Sequence, residues 1–185
     1  MAHVDIRSAT EQDVPLVVAF IRELAEYEKL SHEVCATEGQ IRSTLFGERP
    51  VAEVVIASLD DRPVGFAVFF PNYSTFLGRP GLYLEDLFVR PESRGLGVGR
   101  ELLEYLARLT VERGWGRLEW RVLDWNEPSI AFYKRLGAQP LDDWTVFRVT
   151  GEALQKLAGQ QPTTTQSSRR RAQSPRRRRQ RPDQV

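Results

Sequence analysis

The chain is poor in sulfur: its 185 residues include one cysteine and one methionine. With Cys35 alone, no internal disulfide can form, and nothing near it in sequence would activate a thiolate nucleophile, so it reads as a filler. No metal site is expected. Long apolar runs are also missing, and none approaches the ~20 residues that a membrane span requires. The opening Met1-Ala2-His3-Val4-Asp5 meets charge at once and shows no apolar signal region. A soluble cytoplasmic protein with no membrane partner is the expectation. Overall charge is nearly absent too, at +1, but it is unevenly spread. Gly159–Val185 carries arginines at 169–171, 176–179 and 181 against the single acid Asp183. That tail is +7, which leaves the first 158 residues at −6. An acidic body suits a cationic substrate.

What is present is enough for one domain, since 41% of the residues are apolar. His3–Arg7 alternates as a short strand. Thr10 and Asp13 form a capping-box-like start to a helix over Glu11–Lys29, with Val14, Val17, Val18, Ile21, Leu24 and Ala25 on one face. A second helix runs from Thr37 to Leu45, ended by Gly47 and Pro50. Ala52–Leu59 and Pro63–Phe70 read as strands joined by a tight Asp60-Asp61-Arg62 hairpin. Pro71–Pro80 reads as a polar, aromatic loop, followed by a strand over Leu82–Val89. A helix over Gly97–Arg113, a strand over Arg117–Leu123 and a helix over Glu127–Leu136 come next. A last strand, Thr145–Val149, and a short helix, Glu152–Ala158, close the pattern. The fold class is α/β, with helices around one mixed sheet. Residues 159–185 have almost no apolar side chains and read as a disordered tail behind a domain of residues 1–158.

The segment Arg94-Gly95-Leu96-Gly97-Val98-Gly99-Arg100 is the most informative. Its glycines at every second position let the backbone approach a ligand and adopt positive φ. The spacing matches neither the dinucleotide GxGxxG pattern nor a Walker loop. An ordinary glycine-rich turn is the alternative. Against it, the loop joins an apolar strand to an amphipathic helix and is bracketed by arginines. Unpaired N–H groups at a helix start favour anions, so phosphate binding is the better reading.

Beside this loop, Glu85 and Asp86 interrupt an apolar strand. Glu85 reads either as a solvated strand residue or as a working carboxylate, and its setting favours the second. Successive strand residues face opposite sides, so the two acids cannot share a pocket unless a bulge intervenes. On the helix after Asn126, Ser129 and Tyr133 lie four apart on one face. Phe132 reads as core; Tyr133 reads as core or as a site residue.

Arg94-x-x-Gly97-x-Gly99 after a strand resembles the acetyl-CoA motif of the GNAT N-acetyltransferases. Trp125-Asn126-Glu127-Pro128-Ser129-Ile130-Ala131-Phe132-Tyr133 resembles the second half of their signature. Tyr83-Leu84-Glu85-Asp86-Leu87 and Ile21–Leu30 are similar to the diamine (spermidine/spermine) and thialysine acetyltransferase branch. The resemblance spans roughly residues 3–158 and implies a mostly antiparallel sheet flanked by helices and splayed around a bulged strand. It implies acetyl-CoA as co-substrate, a small amine as acceptor, direct transfer in a ternary complex, and a homodimer.

By the same resemblance, Glu85 accepts the amine's proton through water, and Tyr133 protonates the departing sulfur. Residues 87–89 (Leu87, Phe88, Val89), the loop Arg94, Gly95, Leu96, Gly97, Val98, Gly99 and Arg100, and Asn126, Glu127, Pro128 and Ser129 would hold acetyl-CoA. Tyr27, Glu28, Glu85, Asp86, Glu119, Trp120 and Arg121 would line the acceptor channel. Tyr27, Glu28 and Glu119 each admit the plainer reading of a solvated surface residue. Arg121 would repel a polyamine but could pair with a substrate carboxylate. Two departures stand out: Phe76 occupies a position where the diamine enzymes carry tryptophan, and the Asp60–Arg62 hairpin is shorter than in the animal enzymes. A protein acceptor or an aminoglycoside is the alternative within the fold. The arginine tail would bind phosphates non-specifically but lacks the interleaved aromatics that stack bases, so a nucleic-acid role is not favoured.

Overall fold

The computed structural model describes residues 3–160, and these fall into two compact units divided after Arg135. The arginine tail, with the disorder expected of it, lies outside the described residues.

The first unit is built on a five-stranded sheet in the order β1-β2-β3-β4-β5. Its strands are β1 (Val4–Ser8), β2 (Glu53–Leu59), β3 (Arg62–Ser74), β4 (Arg79–Val89) and β5 (Leu118–Trp120). Neighbours pair antiparallel except β4 with β5, which run parallel. Period-2 alternation sends successive side chains to opposite faces. Val55, Ala57, Ala67 and Phe69 pack on one face against Val98, Leu102 and Leu106 of α3 (Val98–Glu112). Val54, Phe66 and Val68 pack on the other against Val17, Phe20 and Leu24 of α1 (Val14–Tyr27). Phe20 stacks on Phe66 at 5.2 Å between ring centroids, so the α1 layer is pinned at the centre of the sheet.

Local chemistry accounts for most element ends. Thr10 N–H donates to Asp13 Oδ2 at 2.8 Å, and a 3-10 turn over Glu11–Asp13 leads into α1. Lys29, in the left-handed region at φ 61°, stops the chain just beyond that helix. In α2 (Glu38–Phe46), Gln40 N–H donates to the Thr37 hydroxyl at 3.3 Å. The β2–β3 hairpin turns through Asp60 and Asp61, both at positive φ, a conformation that Asp tolerates and that suits strand twist.

Three expectations need correction. Pro71–Pro80 is not a loop: β3 and β4 continue through it, pairing Asn72 with Gly81 and Ser74 with Arg79. Prolines fit there because a strand position whose N–H the ladder does not use tolerates them. β5 stops at Trp120 instead of Leu123, because its neighbour β4 changes register after Leu84.

The third correction concerns the second unit, whose described residues contain one helix, α5 (Gly151–Leu157), preceded by irregular chain. Thr145–Val149 is not a strand, although its composition suits one. Strand N–H and C=O groups need a ladder partner, and no described segment of this unit supplies one. Trp144 and Phe147 are left 72% and 90% exposed.

Candidate active site

The site grows from an irregularity in β4. Val68 pairs with Asp86 and Phe69 with Leu84, which leaves Glu85 without a partner on β3. Glu85 is therefore the extra residue of a β-bulge. Side-chain parity records the same event. Leu82 and Leu84 face α3 before it, Leu87 and Val89 face α3 after it, and Phe88 packs beneath α1. Alternation then puts Glu85, opposite in sense to Leu84, and Asp86, in phase with Phe88, on the α1 side together. The bulge required for the two carboxylates to share a site is present.

The same irregularity opens the sheet. The β4–β5 ladder ends at Leu84↔Trp120. Arg90 N–H donates to Val64 O on β3 at 2.8 Å. Donor direction alternates along a strand, so the N–H of Phe88 also faces β3, whereas those of Leu87 and Val89 face the side that β5 has left. Phe88 contributes its ring to the core, 6.3 Å from Phe20.

Beyond Val89 the chain makes a 3-10 turn over Pro91–Ser93 and enters the glycine loop. Gly95 and Gly97 have φ of 78° and 90°, values that non-glycine residues adopt only with strain. Leu96 between them is exposed, while Val98 is buried at the start of α3. Arg100 and Glu101 N–H both donate to Gly97 O at 3.0 Å, leaving the Val98 and Gly99 donors at the helix start for a ligand. Arg94 Nε donates to Val89 O at 3.0 Å, and its guanidinium lies 4.2 Å over the Tyr27 ring. Arg100 instead pairs with Glu104, one turn along α3, at 2.7 Å. The sequence reading missed Arg90, whose Nε and Nη2 reach both Glu23 oxygens at 2.9 and 2.8 Å and tie the end of β4 to α1. An arginine directly after an apolar strand was the available signal.

The acids crowd at this end of β4. Burial, with Glu85 and Glu28 nearby, pushes the Asp86 carboxyl up to about 6. Burial also raises Glu28. Glu85 is half-exposed, with Arg121 Nη2 3.8 Å away and the Arg121 guanidinium 5.8 Å over Tyr83. Tyr133, on α4 (Glu127–Arg135), is pushed up to about 12 by burial, Glu28 and Tyr27. A phenol in that setting keeps its proton at neutral pH and can donate it.

Asn126 is buried just before α4, and its Oδ1 accepts both Ser129 N–H at 3.4 Å and Tyr27 O–H at 3.3 Å. Glu127 and Pro128 are exposed in the first turn. Trp120 lies edge-on to Tyr133 at 5.0 Å and supports that ring. The Glu119 carboxylate is engaged by Asn72 Nδ2 at 2.6 Å and Arg117 Nε at 2.7 Å. Phe76 is 91% exposed on the β3–β4 turn. Among the described residues no group of three or more His, Cys, Asp or Glu is arranged to hold a metal ion. No helix among them is long and apolar enough to cross a membrane.

Taken together, free backbone donors, a glycine-lined helix start, clustered carboxylates and a protonated phenol suit transfer of an acyl group to an amine. The profile of the Acetyltransferase (GNAT) family matches residues 19–138. The chain belongs to the acetyltransferase (GNAT) family. This GNAT chain is 41% identical over 170 residues to the thialysine N-epsilon-acetyltransferase of Bos taurus, covering 86% of this chain and 99% of that protein. It is 35% identical to the L-ornithine N5-acetyltransferase NATA1 of Arabidopsis thaliana, covering 82% of this chain and 86% of that protein. Among solved structures, an integron cassette protein from the mobile metagenome of V. cholerae superimposes with a TM-score of 0.71 at 29% identity, covering 85% of this chain and 98% of that one. The GNAT fold and acyltransferase class follow, and GNAT acetyltransferases use acetyl-CoA as co-substrate.

The raised carboxyl of Asp86 has a consequence for stability. An ordinary Asp titrates near 3.9 and Asp86 near 6, so above pH 6 the fold carries an ionised group that the unfolded chain holds at lower free energy, by roughly 3 kcal/mol. That penalty fades as pH falls from 6 toward ~4. Asp86→Asn is expected to raise the unfolding midpoint by a few degrees at pH 7.5 and by much less at pH 4.5. Thermal unfolding at the two pH values checks this, and an equal shift at both would sink it.

Proposed function

We propose that this GNAT enzyme moves acetyl from acetyl-CoA to a primary amine of a small cationic acceptor, by direct attack in a ternary complex. The observation that carries the reading is the bulge at Glu85, which gathers Glu85 and Asp86 on the α1 side with Glu28 in their field. An alkyl ammonium titrates near 10 and must lose a proton before it can attack. Glu85, half-exposed and open to water, takes that proton; Asp86 and Glu28 hold the acceptor's positive charge. Acetyl-CoA supplies the acetyl thioester when bound. The Leu87 and Val89 N–H groups, which face the side that β5 has left, would donate to its carbonyl oxygen and pantetheine arm. Val98 and Gly99 N–H, with Arg94, serve the pyrophosphate. Tyr133, which its raised pKa keeps protonated at neutral pH, gives its proton to the leaving sulfur.

Within this class we favour an amino acid carrying a side-chain amine over a polyamine. The Arg121 guanidinium beside Glu85 would repel a second cationic centre and can pair with an α-carboxylate. The relatives named for thialysine and L-ornithine support that direction. A cytoplasmic homodimer completes the proposal. The exposed Trp144 and Phe147 support a second copy as the covering partner.

Tyr133→Phe is expected to lower kcat by about 10²-fold or more while leaving CoA affinity within twofold, measured by CoA release and calorimetry. Turnover near the parent level would remove Tyr133 as the acid. In a panel of thialysine, ornithine, lysine, putrescine and spermidine, thialysine or ornithine is expected to have the higher kcat/KM. Arg121→Ala should then lower kcat/KM for the amino acids about tenfold and leave the diamines unchanged or improved. A parent preference for spermidine would refute the amino-acid assignment. Light scattering on a sizing column is expected to give twice the chain mass, and Trp144→Asp with Phe147→Asp should shift it to one chain. A monomeric parent would exclude the dimer.

A further inference from the structure

α1 ends at Tyr27, and three contacts meet on this one side chain. The Arg94 guanidinium lies 4.2 Å over its ring, while Arg94 Nε donates to Val89 O at 3.0 Å. The arginine at the mouth of the glycine loop is thus held between the end of β4 and an aromatic face instead of waving in solvent. Stacking of this kind fixes the plane of a guanidinium and leaves its edge donors available. On another side, the Trp125 ring stands 6.1 Å from Tyr27. The phenol O–H donates to Asn126 Oδ1 at 3.3 Å.

That oxygen also accepts Ser129 N–H at 3.4 Å, which makes it the capping acceptor of α4. Tyr133 lies on the same helix. Asn126 is buried, so its orientation is set by these partners and not by water. One ring therefore touches the guanidinium at the glycine loop, and its hydroxyl touches the cap of the helix that carries Tyr133. The rest of α1 is anchored independently, through Phe20 on Phe66 and Glu23 on Arg90, so Tyr27 hangs from a rigid support.

We propose that Tyr27 is a positioning residue that couples the cofactor loop to the placement of Tyr133, its ring ordering Arg94 and its hydroxyl orienting the Asn126 cap. The proposal rests on the reading above, in which Arg94 serves the pyrophosphate and Tyr133 is the acid. The two halves of the role separate by atom. Tyr27→Phe keeps the stacking face and removes the hydroxyl; Tyr27→Leu removes both.

The test measures CoA affinity by calorimetry and steady-state turnover for the parent, both Tyr27 variants, Arg94→Ala, Tyr27→Leu/Arg94→Ala and Tyr133→Phe, with circular dichroism verifying the fold. Tyr27→Phe is expected to bind CoA within twofold of the parent but to lose roughly tenfold in kcat, because the acid is misplaced. Its kcat should also fall off at a lower alkaline pH. Tyr27→Leu is expected to weaken CoA three- to thirty-fold, the range that a cation–π contact supplies. Tyr27→Leu combined with Arg94→Ala should bind CoA no more weakly than Arg94→Ala alone. Three outcomes overturn the coupling: parent-like kcat and pH profile in Tyr27→Phe, equal loss of CoA affinity in Phe and Leu, or additive losses in the double variant. Failure of the underlying reading looks different. Arg94→Ala would then bind CoA like the parent, or Tyr133→Phe would turn over like it, and either result overturns the coupling as well.

Discussion

One extra residue in β4 organises the site. Without the bulge at Glu85, the ladder between β4 and β5 could run on past Leu84, and Glu85 and Asp86 would face opposite sides of the sheet. With it, the two carboxylates lie on the α1 side and β5 diverges. The Leu87 and Val89 donors then face outward from the broken ladder. A buried donor without a partner costs about 1–3 kcal/mol, so such a break is tolerated where a ligand or water can take the hydrogen bonds. The defect in the sheet and the capacity to bind are the same feature.

The electrostatics follow from that placement. Glu28, Glu85 and Asp86 share a partly buried corner, where burial first, and then the charges of Glu85 and Glu28, push the Asp86 carboxyl up. Burial, with Glu28 and Tyr27 nearby, keeps the Tyr133 proton in place. A corner of this kind opposes stability when vacant and favours a cation, so function and stability pull against each other here. Arg121 moderates the field at Glu85, the most exposed of the three positions, and leaves Asp86 to burial. Membership in the GNAT family accounts for the acyl donor; the acceptor proposed above rests on the charge pattern of this corner.

Much of the framework was legible from residues alone. The apolar faces of α1 and α3, the Thr10–Asp13 box, the Asp60-Asp61 turn and the glycine loop are all local, set by side chains a few positions apart. The misreadings were non-local. Pro71 and Pro80 suggested a loop because their tolerance in β3 and β4 depends on which strand face lacks a ladder bond. Thr145–Val149 has strand composition, yet a strand exists only with a partner. Within the site, Glu85, Asp86 and Tyr133 could be picked out as unusual polar groups among apolar ones. The pairing of Arg90 with Glu23 and the engagement of Glu119 by Asn72 could not, because those pairs join residues 67 and 47 positions apart through the fold.

The sequence by itself determined which helices form and where the loop between β4 and α3 must bend backward, at Gly95 and Gly97. These depend on periodicity, capping and backbone freedom, all of which act over a few residues. Only the tertiary structure decided that Glu85 is the bulged residue, that β5 leaves β4 at Leu84, and that Tyr27 lies between Arg94 and Asn126. Register and bulge position depend on how β3 and the two helical layers pack against β4 at once. That balance is struck between segments far apart in the chain, and no local pattern encodes it.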